Sequence, residues 1–554
     1  EAHPGKRARV GDVRVEVLPR PGDTQQIADA NVRRLVDLRP GELYEERDLL
    51  ESQRILYRTD AYGHVEIGLD SAQLASPGDS SVDVIVRLRE GPMHTVRTGL
   101  GYGTLDCVRA SVEYTNVNAF NSARRLELTG RISKIGIGEP LDVARGLCFP
   151  EARRDIYSDT LNYYAGVTLQ QLPLRGLFTL PSIALYSERR SEYNAYLRTT
   201  PAALALSRTW ARGLGVPVTG TYVLEYGRTA AQPALLCAVF SLCTDEDRAR
   251  VGEFRRLGVL GAAVTRDVTN DVLNPTRGSI LRLDVRWSSD LTGSEDDQTF
   301  TQLLGNASWY RGLGGGRVLA ARLRVGAVLD AALAGVAGFV PPSERLYAGG
   351  PTTVRGFRQN ELGPIVYLAN AYVQRDTMVN GVPLRTFVVD ETRGYDRVVP
   401  TGGDAVAVGN VELRIPSPVL PDIFQLVGFV DAGQLWSRGS GNAGITFGSL
   451  RWTPGLGVRA RSPVGPIRVD VGYNPYTLPS GAIYFDAPLR EESSVAPLYC
   501  VSPGNTIPVI DVPVDGEVVP IQAPGLPCAP TFRPATPTSF FRRLTFNLSI
   551  GQAF

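Results

Sequence analysis

The sequence predicts a mainly β protein: a transmembrane antiparallel β-barrel of about 16 strands, preceded by a small α/β module. The first observation is a change of period, because residues 10–92 mix helical and strand patterns whereas the hydrophobic period after Pro92 is two. The second is charge, because arginine and glutamate recur on the polar face of strand after strand, as in a wide, wet lumen. The third is composition: with 43% apolar and 21% charged residues, the chain is not disordered.

The amino-terminal region reads as one small domain with the order strand, helix, helix, strand, strand. "VRVEVLP" alternates as a strand does, and the next segment carries one apolar helical face, with Thr24 as the predicted N-cap. A second helical pattern and two alternating segments, "YGHVEIGLD" and "SVDVIVRLREG", complete the domain at residues 10–92. Residues 1–9 are interpreted as a linker or the remnant of a preceding module.

The remaining residues, 93–554, are predicted to form the barrel. Segments such as "VRASVEYT" and "RRLELTGRIS" alternate strictly, and a tilted strand of about 9–11 residues crosses a bilayer. At about 25–30 residues per strand and loop, the region holds on the order of 16 strands. A soluble sandwich is the alternative, but its interior would hold fewer charges. A propeller is the other alternative, and it would show a repeat in the sequence.

The connections between these strands are unequal in length. "NPTRG" and "SPVGP" are tight turns, whereas residues 474–539 form a long segment rich in proline and glycine. Short turns on one side and long loops on the other are typical of outer-membrane barrels, with the long loops extracellular. We therefore expect residues 474–539 to be an extracellular loop.

Six cysteines suggest an oxidising compartment. Cys237 and Cys243 close a short segment, and Cys500 and Cys528 share one proline-rich stretch, so these four are candidate disulfide cysteines. The sequence does not say whether Cys107 and Cys148 pair. Scattered buried thiols are the other interpretation.

Catalytic and metal chemistry find little support. Three histidines, His3, His64 and His94, all precede the predicted barrel interior, so neither a Ser-His-Asp arrangement nor a histidine zinc site can be assembled there. Carboxylates such as Glu412 and Asp470 are attributed to lumen hydration. We expect no enzyme activity, no metal and no cofactor, and the net charge of +1 gives no reason to expect nucleic-acid binding.

Several motifs occur in a fixed order along the barrel region. They are the glycine-bearing first hairpin from "VRTGLGYG", "VRGF" at Val354, Arg355, Gly356 and Phe357, "LVGFVDAGQLW" around Asp431, "SPVGPIRVDVGYNP", and the terminal "RRLTFNLSIGQAF". Together they resemble the outer-membrane assembly and translocation factors typified by BamA and TamA. The resemblance implies that residues 10–92 are a periplasmic POTRA module in front of a 16-stranded barrel in the bacterial outer membrane.

The resemblance also implies a role for the arginine of "VRGF". It implies that a loop of residues 340–365 folds back into the lumen, where Arg355 pairs with Asp431 on the wall and Phe357 packs against the inner wall. A buried arginine is costly unless paired, and a bidentate carboxylate contact is the strong form of such pairing. The alternative is that Arg355 is an ordinary solvated loop residue.

A third implication concerns the seam between the first strand, near Thr95–Thr104, and the last, near Leu544–Phe554. In this family the two strands pair weakly. Glycine weakens a strand, but these glycines also fit simple strand curvature. The predicted seam residues are Gly99, Gly101, Gly103, Leu544, Phe546, Leu548, Ile550 and Phe554.

The resemblance implies a factor that folds β-barrel clients and inserts them through this seam by strand addition. Clients are expected to reach the module at an exposed strand edge such as Ser81–Arg89. The implied partners are unfolded outer-membrane β-barrel clients, outer-membrane lipids, and periplasmic chaperones, accessory lipoproteins or an inner-membrane partner. Two alternatives stay open: a two-partner-secretion-type translocator that exports an unfolded polypeptide through the lumen, and a passive barrel.

Overall fold

A computed structural model gives the architecture of the chain. It describes residues 8–36, 38–70, 81–171, 179–210, 216–271, 274–295, 298–333, 336–337, 340–379, 381–437, 449–460, 462, 467–486, 497–514, 517–523, 526–536 and 539–550.

The amino-terminal module is a three-stranded sheet packed against two helices. Its elements are β1 (Arg9–Leu18), α1 (Asp29–Leu35), α2 (Glu46–Arg58), β2 (Tyr62–Leu69) and β3 (Ser81–Glu90). The strand β3 lies in the centre of the sheet, parallel to β1 and antiparallel to β2. Its inward residues Val84, Val86 and Leu88 are buried against apolar residues of both helices, as strand alternation requires. The observed order, strand, helix, helix, strand, strand, is the one that the sequence predicts.

Two expectations about this module are wrong. Residues Ser81–Arg89 are not a free edge, because β1 and β2 hydrogen-bond to the two sides of β3. Thr24 is not an N-cap either, because α1 begins at Asp29 after Ala28. The chain before that helix is instead held by a buried carboxylate: Glu90 accepts the amide of Ile27 at 2.7 Å.

The barrel begins directly after the module. Its first eleven strands are β4 (His94–Gly103), β5 (Cys107–Ala119), β6 (Arg124–Ile135), β7 (Asn162–Gln170), β8 (Thr179–Glu192), β9 (Tyr196–Trp210), β10 (Val218–Ala231), β11 (Arg255–Asp267), β12 (Gly278–Ser288), β13 (Thr299–Gly314) and β14 (Arg317–Leu333). The position of His94 corrects one expectation, because this histidine is the first residue of a barrel strand; it is exposed and its Nδ1 lies 2.8 Å from the hydroxyl of Tyr114.

A long excursion separates the eleventh barrel strand from the twelfth. It contains β15 (Val336–Ala337), β16 (Ile365–Ala369), β17 (Tyr372–Val379), β18 (Val382–Val389) and β19 (Tyr395–Pro400). The chain then returns to the wall through β20 (Ala405–Pro416), β21 (Phe424–Trp436), β22 (Arg451–Ala460) and β23 (Ile467–Tyr473). A second excursion holds β24 (Ile483–Asp486), β25 (Leu498–Cys500), β26 (Val509–Val514) and β27 (Glu517–Gln522), and β28 (Leu544–Ile550) is the last strand of the wall.

The wall is a closed antiparallel barrel of 16 strands, formed by β4–β14, β20–β23 and β28, with the two-residue β15 pairing to the end of β14. This confirms the predicted fold class and strand number. The alternation along each strand also places large apolar residues on the outer face, where Leu185 is 59% and Leu456 72% exposed. An apolar outer face is the surface that lipid requires.

The two excursions fold together at the barrel end opposite the module. The strands β19, β16, β24 and β25 form one sheet, and β17–β18 and β26–β27 are hairpins. The described residues of the segment 474–539 are therefore a folded part of a cap. Among the described residues, short helices or helical turns also lie in the connections between wall strands: α3 (Pro150–Arg154), α4 (Pro233–Phe240), α5 (Asp245–Val251), and 3-10 turns at Arg145–Leu147 and Asp290–Thr292. A further turn at Phe540–Arg543 precedes β28.

Helices of membrane-spanning length and apolarity do not occur in the part of the chain that the structure describes. The cysteines form three disulfides, Cys107–Cys148, Cys237–Cys243 and Cys500–Cys528. The structure thus pairs the two cysteines that the sequence left unassigned.

Candidate functional site: the lumen loop and the seam

The guanidinium of Arg355 lies inside the barrel against the side chain of Asp431 on β21. Its Nε donates to Oδ2 at 2.8 Å and its Nη2 to Oδ1 at 2.7 Å, and the Arg355 amide donates to Oδ2 at 2.9 Å. Asn410 on β20 donates to Oδ1 of the same carboxylate at 2.8 Å. Asp431 is 0% exposed, so its charge is neutralised entirely by protein groups. This is the bidentate geometry in which arginine binds carboxylates most strongly.

Further charges extend this contact across neighbouring strands. Nη1 of Arg355 donates to Glu412 at 2.5 Å and lies 3.9 Å from Asp470. Arg459 donates to Asp470 at 2.7 Å, and Arg414 to Glu412 at 3.2 Å. The assignment of Glu412 and Asp470 to lumen hydration is wrong, because both carboxylates belong to this ion-pair cluster and Asp470 is 0% exposed.

The aromatic wall beneath the cluster adds to the stabilisation of the arginine. The guanidinium carbon of Arg355 lies 3.5 Å from the ring centroid of Phe429 on β21, within the range of a cation–π contact. Burial by itself would lower the pKa of Arg355, but the hydrogen bonds and charge of Asp431, together with Glu412, raise it above the ordinary value. The arginine is therefore a permanent cation that the lumen wall is built to hold.

Close backbone contacts seat the loop against the wall. A Cβ at Gly356 would lie 2.5 Å from Cβ of Thr453, and a Cβ at Gly472 on β23 would lie 2.7 Å from the carbonyl oxygen of Arg355. Glycine is thus required on both sides of the contact. Gly349 and Gly350 have φ values of 109° and 94°, which other residues rarely adopt, and they form the turn that precedes the motif.

Phe357 and Val354 anchor the motif in an apolar cluster. Both side chains are at most 1% exposed and pack with Val406 and Val408 of β20 and Leu435 of β21. The ring of Phe357 also stacks on Tyr476, with centroids 6.3 Å apart. The loop tip is therefore fixed by apolar packing as well as by charge.

The tip of the loop also contacts the last strand. Thr545 Oγ1 donates to the carbonyl of Gly356 at 2.9 Å, and Asn547 Nδ2 to the carbonyl of Arg355 at 3.4 Å. Both side chains belong to β28, so the arginine motif supports one side of the seam directly. The sequence reasoning missed this link because the two segments lie about 190 residues apart.

The rest of the loop crosses the lumen to the opposite wall. Asn360 donates to Glu192 at the end of β8 at 2.7 Å, and Glu344 accepts from Arg286 of β12 at 2.6 Å. At the loop base, Arg345 donates to the carbonyl of Thr401 at 2.6 Å. The loop is thus bound to several sides of the barrel.

Among the described residues, the seam between β4 and β28 is the shortest junction between neighbouring wall strands. Only two residue pairs join these strands, Ser549–Gly103 and Ile550–Tyr102, whereas β4 and β5 share ten and β23 and β28 share seven. One more hydrogen bond, from the amide of Thr104 to the carbonyl of Leu548 at 3.1 Å, lies beside them. Phe554, a predicted seam residue, lies outside the described residues.

The glycines of β4 face the lumen beside large neighbours. A Cβ at Gly101 would lie 2.5 Å from Nε of Arg109, and one at Gly99 would lie 2.7 Å from Oγ of Ser111. At Gly103 the nearest atom would be the carbonyl oxygen of Leu548, at 3.6 Å. Gly99 and Gly101 therefore make room for side chains of β5. This explanation differs from the two that the sequence offered, a weak seam and strand curvature.

Metal-binding clusters of three or more histidine, cysteine, aspartate or glutamate side chains do not occur among the described residues. The candidate site consists of a buried arginine, the carboxylates and further arginines around it, and the junction between β4 and β28 beside it. A closed 16-stranded barrel with an apolar outer face and a loop folded into its lumen defines a membrane-spanning β-barrel protein.

Comparison with known proteins identifies the family. The chain matches the Omp85 superfamily domain over residues 95–485 and belongs to that superfamily. A segment of 235 residues is 28% identical to the outer membrane protein assembly factor BamA of Nitratidesulfovibrio vulgaris Hildenborough; it covers 41% of this chain and a quarter (25%) of that protein. Members of the superfamily are assembly or transport factors, and the fold and family together indicate an outer-membrane protein.

Solved structures share the fold. BamA from Haemophilus ducreyi lacking POTRA domains 1–3 matches 99% of this chain and 85% of its own, at a TM-score of 0.58 and 16% identity. CdiB from Acinetobacter baumannii matches 85% of this chain and 71% of its own, at a TM-score of 0.49 and 13% identity. The first of these likenesses supports the fold, and the second is too weak to support more.

Proposed function

We propose that this protein is an outer-membrane assembly factor that folds and inserts β-barrel clients through the seam between β4 and β28. The observation that carries the proposal is the junction between these strands, across which the described residues form two pairs. A junction with few hydrogen bonds opens at lower cost than its neighbours, and each opened edge offers unpaired backbone groups to an incoming strand. The lumen face of β28 stays supported during opening, because Thr545 and Asn547 bond to the loop tip.

We further propose that residues 10–92 are a POTRA module on the periplasmic side. The module docks on the wall where Arg125 of β6 pairs with Asp60 at 2.8 Å and Asn118 of β5 donates to the carbonyl of Gln26 at 2.8 Å. Its edge strands are β1 and β2. Side chains of α2 occupy part of the β2 edge, since Gln53 donates to the Val65 carbonyl at 2.8 Å. The start of the β1 edge is also occupied, because the amide of Val10 donates to the carbonyl of Glu42 at 2.8 Å. The second half of β1, from Arg14 to Leu18, is therefore the better edge for a client segment.

The partners that follow from this proposal are unfolded outer-membrane β-barrel clients and outer-membrane lipids. Periplasmic chaperones, accessory lipoproteins or an inner-membrane partner would deliver the clients to the module. A polypeptide translocator that uses the lumen is less well supported, because the loop of residues 340–365 is bound to several lumen walls. In addition, the cap sheet lies over the end opposite the module.

An insertion assay with a locked seam tests the proposal. Gly103 and Ser549 face each other across the seam, so the variant Gly103→Cys/Ser549→Cys is oxidised to join β4 to β28. The matched control, Gly409→Cys/Ala432→Cys, joins opposite residues of β20 and β21. An unfolded test barrel is added to liposomes that contain each protein. We expect the seam lock to abolish the acceleration of client insertion and the control lock to preserve it. Equal acceleration by both would exclude the seam as the route.

A further inference from the structure

The connection between β6 and α3 crosses the outside of the seam. We call residues 136–150 the seam strap. It begins at the end of β6, which is separated from β28 by β5 and β4. Even so, the centroid of the Phe149 ring lies 5.7 Å from that of Tyr102 on β4 and 6.3 Å from that of Phe546 on β28. One side chain of the strap therefore touches both strands of the junction that has the fewest pairs among the described residues.

The contact lies on the lipid-facing side. Asn547 points into the lumen, where it bonds to the loop tip, so its neighbour Phe546 points outward, and it is 49% exposed. The strap also carries exposed apolar side chains beside the seam, with Val143 and Leu147 90% and 72% exposed. A strap in this position lies at the apolar outer face of the barrel and not over the lumen.

Covalent and polar bonds fix the strap to the first-strand side. The disulfide Cys107–Cys148 joins it to the start of β5, with Cα atoms 5.0 Å apart, and the hydroxyl of Tyr102 donates to the carbonyl of Leu147. Gly136 allows the turn under this disulfide, because its φ is +96° and a Cβ there would lie 3.3 Å from the sulfur of Cys148. These bonds hold the strap to β4 and β5, and none of them joins it to β28.

The two flanks of the strap are anchored on the same side. Lys134, at the end of β6, donates to Asp155 at 2.5 Å and to Ser191 of β8 at 2.7 Å, and its amide donates to the carbonyl of Asp106 in the β4–β5 turn at 2.9 Å. The side chains of Lys134 and Asp155 are each 3% exposed. A buried ion pair with additional hydrogen bonds holds its geometry firmly, because breaking it would leave an uncompensated charge.

We propose that the seam strap is a latch, and that Phe149 on Phe546 is the contact by which it holds the first and last strands together. Among the described aromatic contacts of the strap, Phe149–Phe546 alone reaches β28. When the seam opens, the strap moves with β4 and this contact breaks. The inference goes beyond the proposed function, because it concerns what holds the seam closed whether or not a client is present.

The size of the effect follows from the setting. In lipid an aromatic pair gains no hydrophobic energy by association, so the contact contributes only direct ring–ring attraction. Loss of the Phe149 ring is therefore expected to raise the population of the open seam about two- to tenfold. The disulfide contributes by holding the strap in place, because without it fewer bonds keep Phe149 over Phe546.

Hydrogen exchange of the protein in lipid nanodiscs, without client, tests the latch. The reporter is the amide of Thr104, which donates to Leu548 across the seam. We expect Phe149→Ala to speed its exchange about two- to tenfold, while the amides between β23 and β28 keep their rates. The control is Phe541→Ala, which removes a 79% exposed ring just before β28 whose nearest described ring is Phe540; it should leave the seam unchanged.

A second pair of variants tests the anchor. Cys107→Ser/Cys148→Ser is expected to speed exchange at Thr104, whereas Cys237→Ser/Cys243→Ser, which removes a disulfide in the β10–β11 connection, is not. Unchanged exchange at Thr104 in a folded Phe149→Ala protein would overturn the proposal. So would faster exchange spread equally over the whole wall, since that would mean general destabilisation. If the double cysteine variant does not fold, Phe149→Ala decides alone, because it keeps the disulfide and the buried residues beneath it.

Discussion

At the scale of single residues, Arg355 is the centre of the candidate site. Its side chain is 5% exposed, and the buried charge would be unstable there without Asp431 and Glu412. Removing one partner of a buried, hydrogen-bonded ion pair costs about 3–5 kcal/mol, because the remaining charge loses its compensation. The wall therefore holds the loop only while the cluster is complete.

A substitution at either end of the pair should release the loop. We expect Asp431→Asn and Arg355→Ala each to make residues 340–365 sensitive to protease in the folded protein, with the wall intact. The control is Asp511→Asn, which removes a carboxylate from the half-exposed pair Arg385–Asp511 in the cap. Such pairs contribute about 1 kcal/mol or less, so the control should behave as the unaltered protein. Unchanged protease sensitivity in both cluster variants would contradict a pinned loop.

At the scale of elements, the contact between the loop and the wall depends on close backbone approach. The loop tip comes so near to β23 that Gly472 has no room for a side chain. On β20, in contrast, nothing lies within 4 Å of a Cβ built at Gly409. The two strands thus offer a matched pair of glycines, one beneath the loop and one free of it.

This difference gives a prediction about the loop as a unit. Gly472→Val should displace the loop tip and give the protease sensitivity of Asp431→Asn, although it removes no charge. Gly409→Val should leave the loop in place. The measurement is the rate of cleavage within residues 340–365 in detergent. Similar rates for the two valine variants would show that the close approach does not control docking.

Local patterns in the sequence account for the elements better than for their partners. The period of two after Pro92 gives the wall strands, and the alternation in β5 and β6 gives their outer faces, because side-chain direction depends only on neighbours in the chain. The sheet order of the module was not predictable in this way, because the alternation of β3 indicates one buried face but not its place in the sheet, and the parallel pairing of β1 puts it in the centre. A local hydrophobic period does not determine which distant strands pair.

The same limit applies to the cluster around Arg355. The motif resemblance led to Asp431, whereas Glu412 and Asp470 look like any lumen carboxylates in the sequence. Their roles depend on register: Asn410 lies opposite Asp431, so Glu412 is two residues further along the same face. The link from the loop tip to Thr545 depends on barrel closure, which only the complete wall defines.

At the scale of the whole molecule, three features meet at β28, the last strand of the seam. The lumen loop bonds to it from inside and the seam strap touches it from outside. Among the described residues, two backbone pairs join it to β4. The ten pairs between β4 and β5 and the seven between β23 and β28 keep the flanking hairpins intact. If the wall opens between neighbouring strands, the seam is where the described residues have the fewest pairs to break.

Cross-linking during insertion tests most directly whether a client passes through the seam between β4 and β28. Single cysteines are placed at Thr98 on β4, at Thr168 on the lumen side of β7, and at Leu323 on the outer face of β14, remote from the seam. A client with a cysteine in its last strand is trapped while it inserts. We expect a disulfide to Thr98→Cys and to neither of the other positions. A cross-link to Thr168→Cys without one to Thr98→Cys would exclude the seam as the route and favour passage through the lumen.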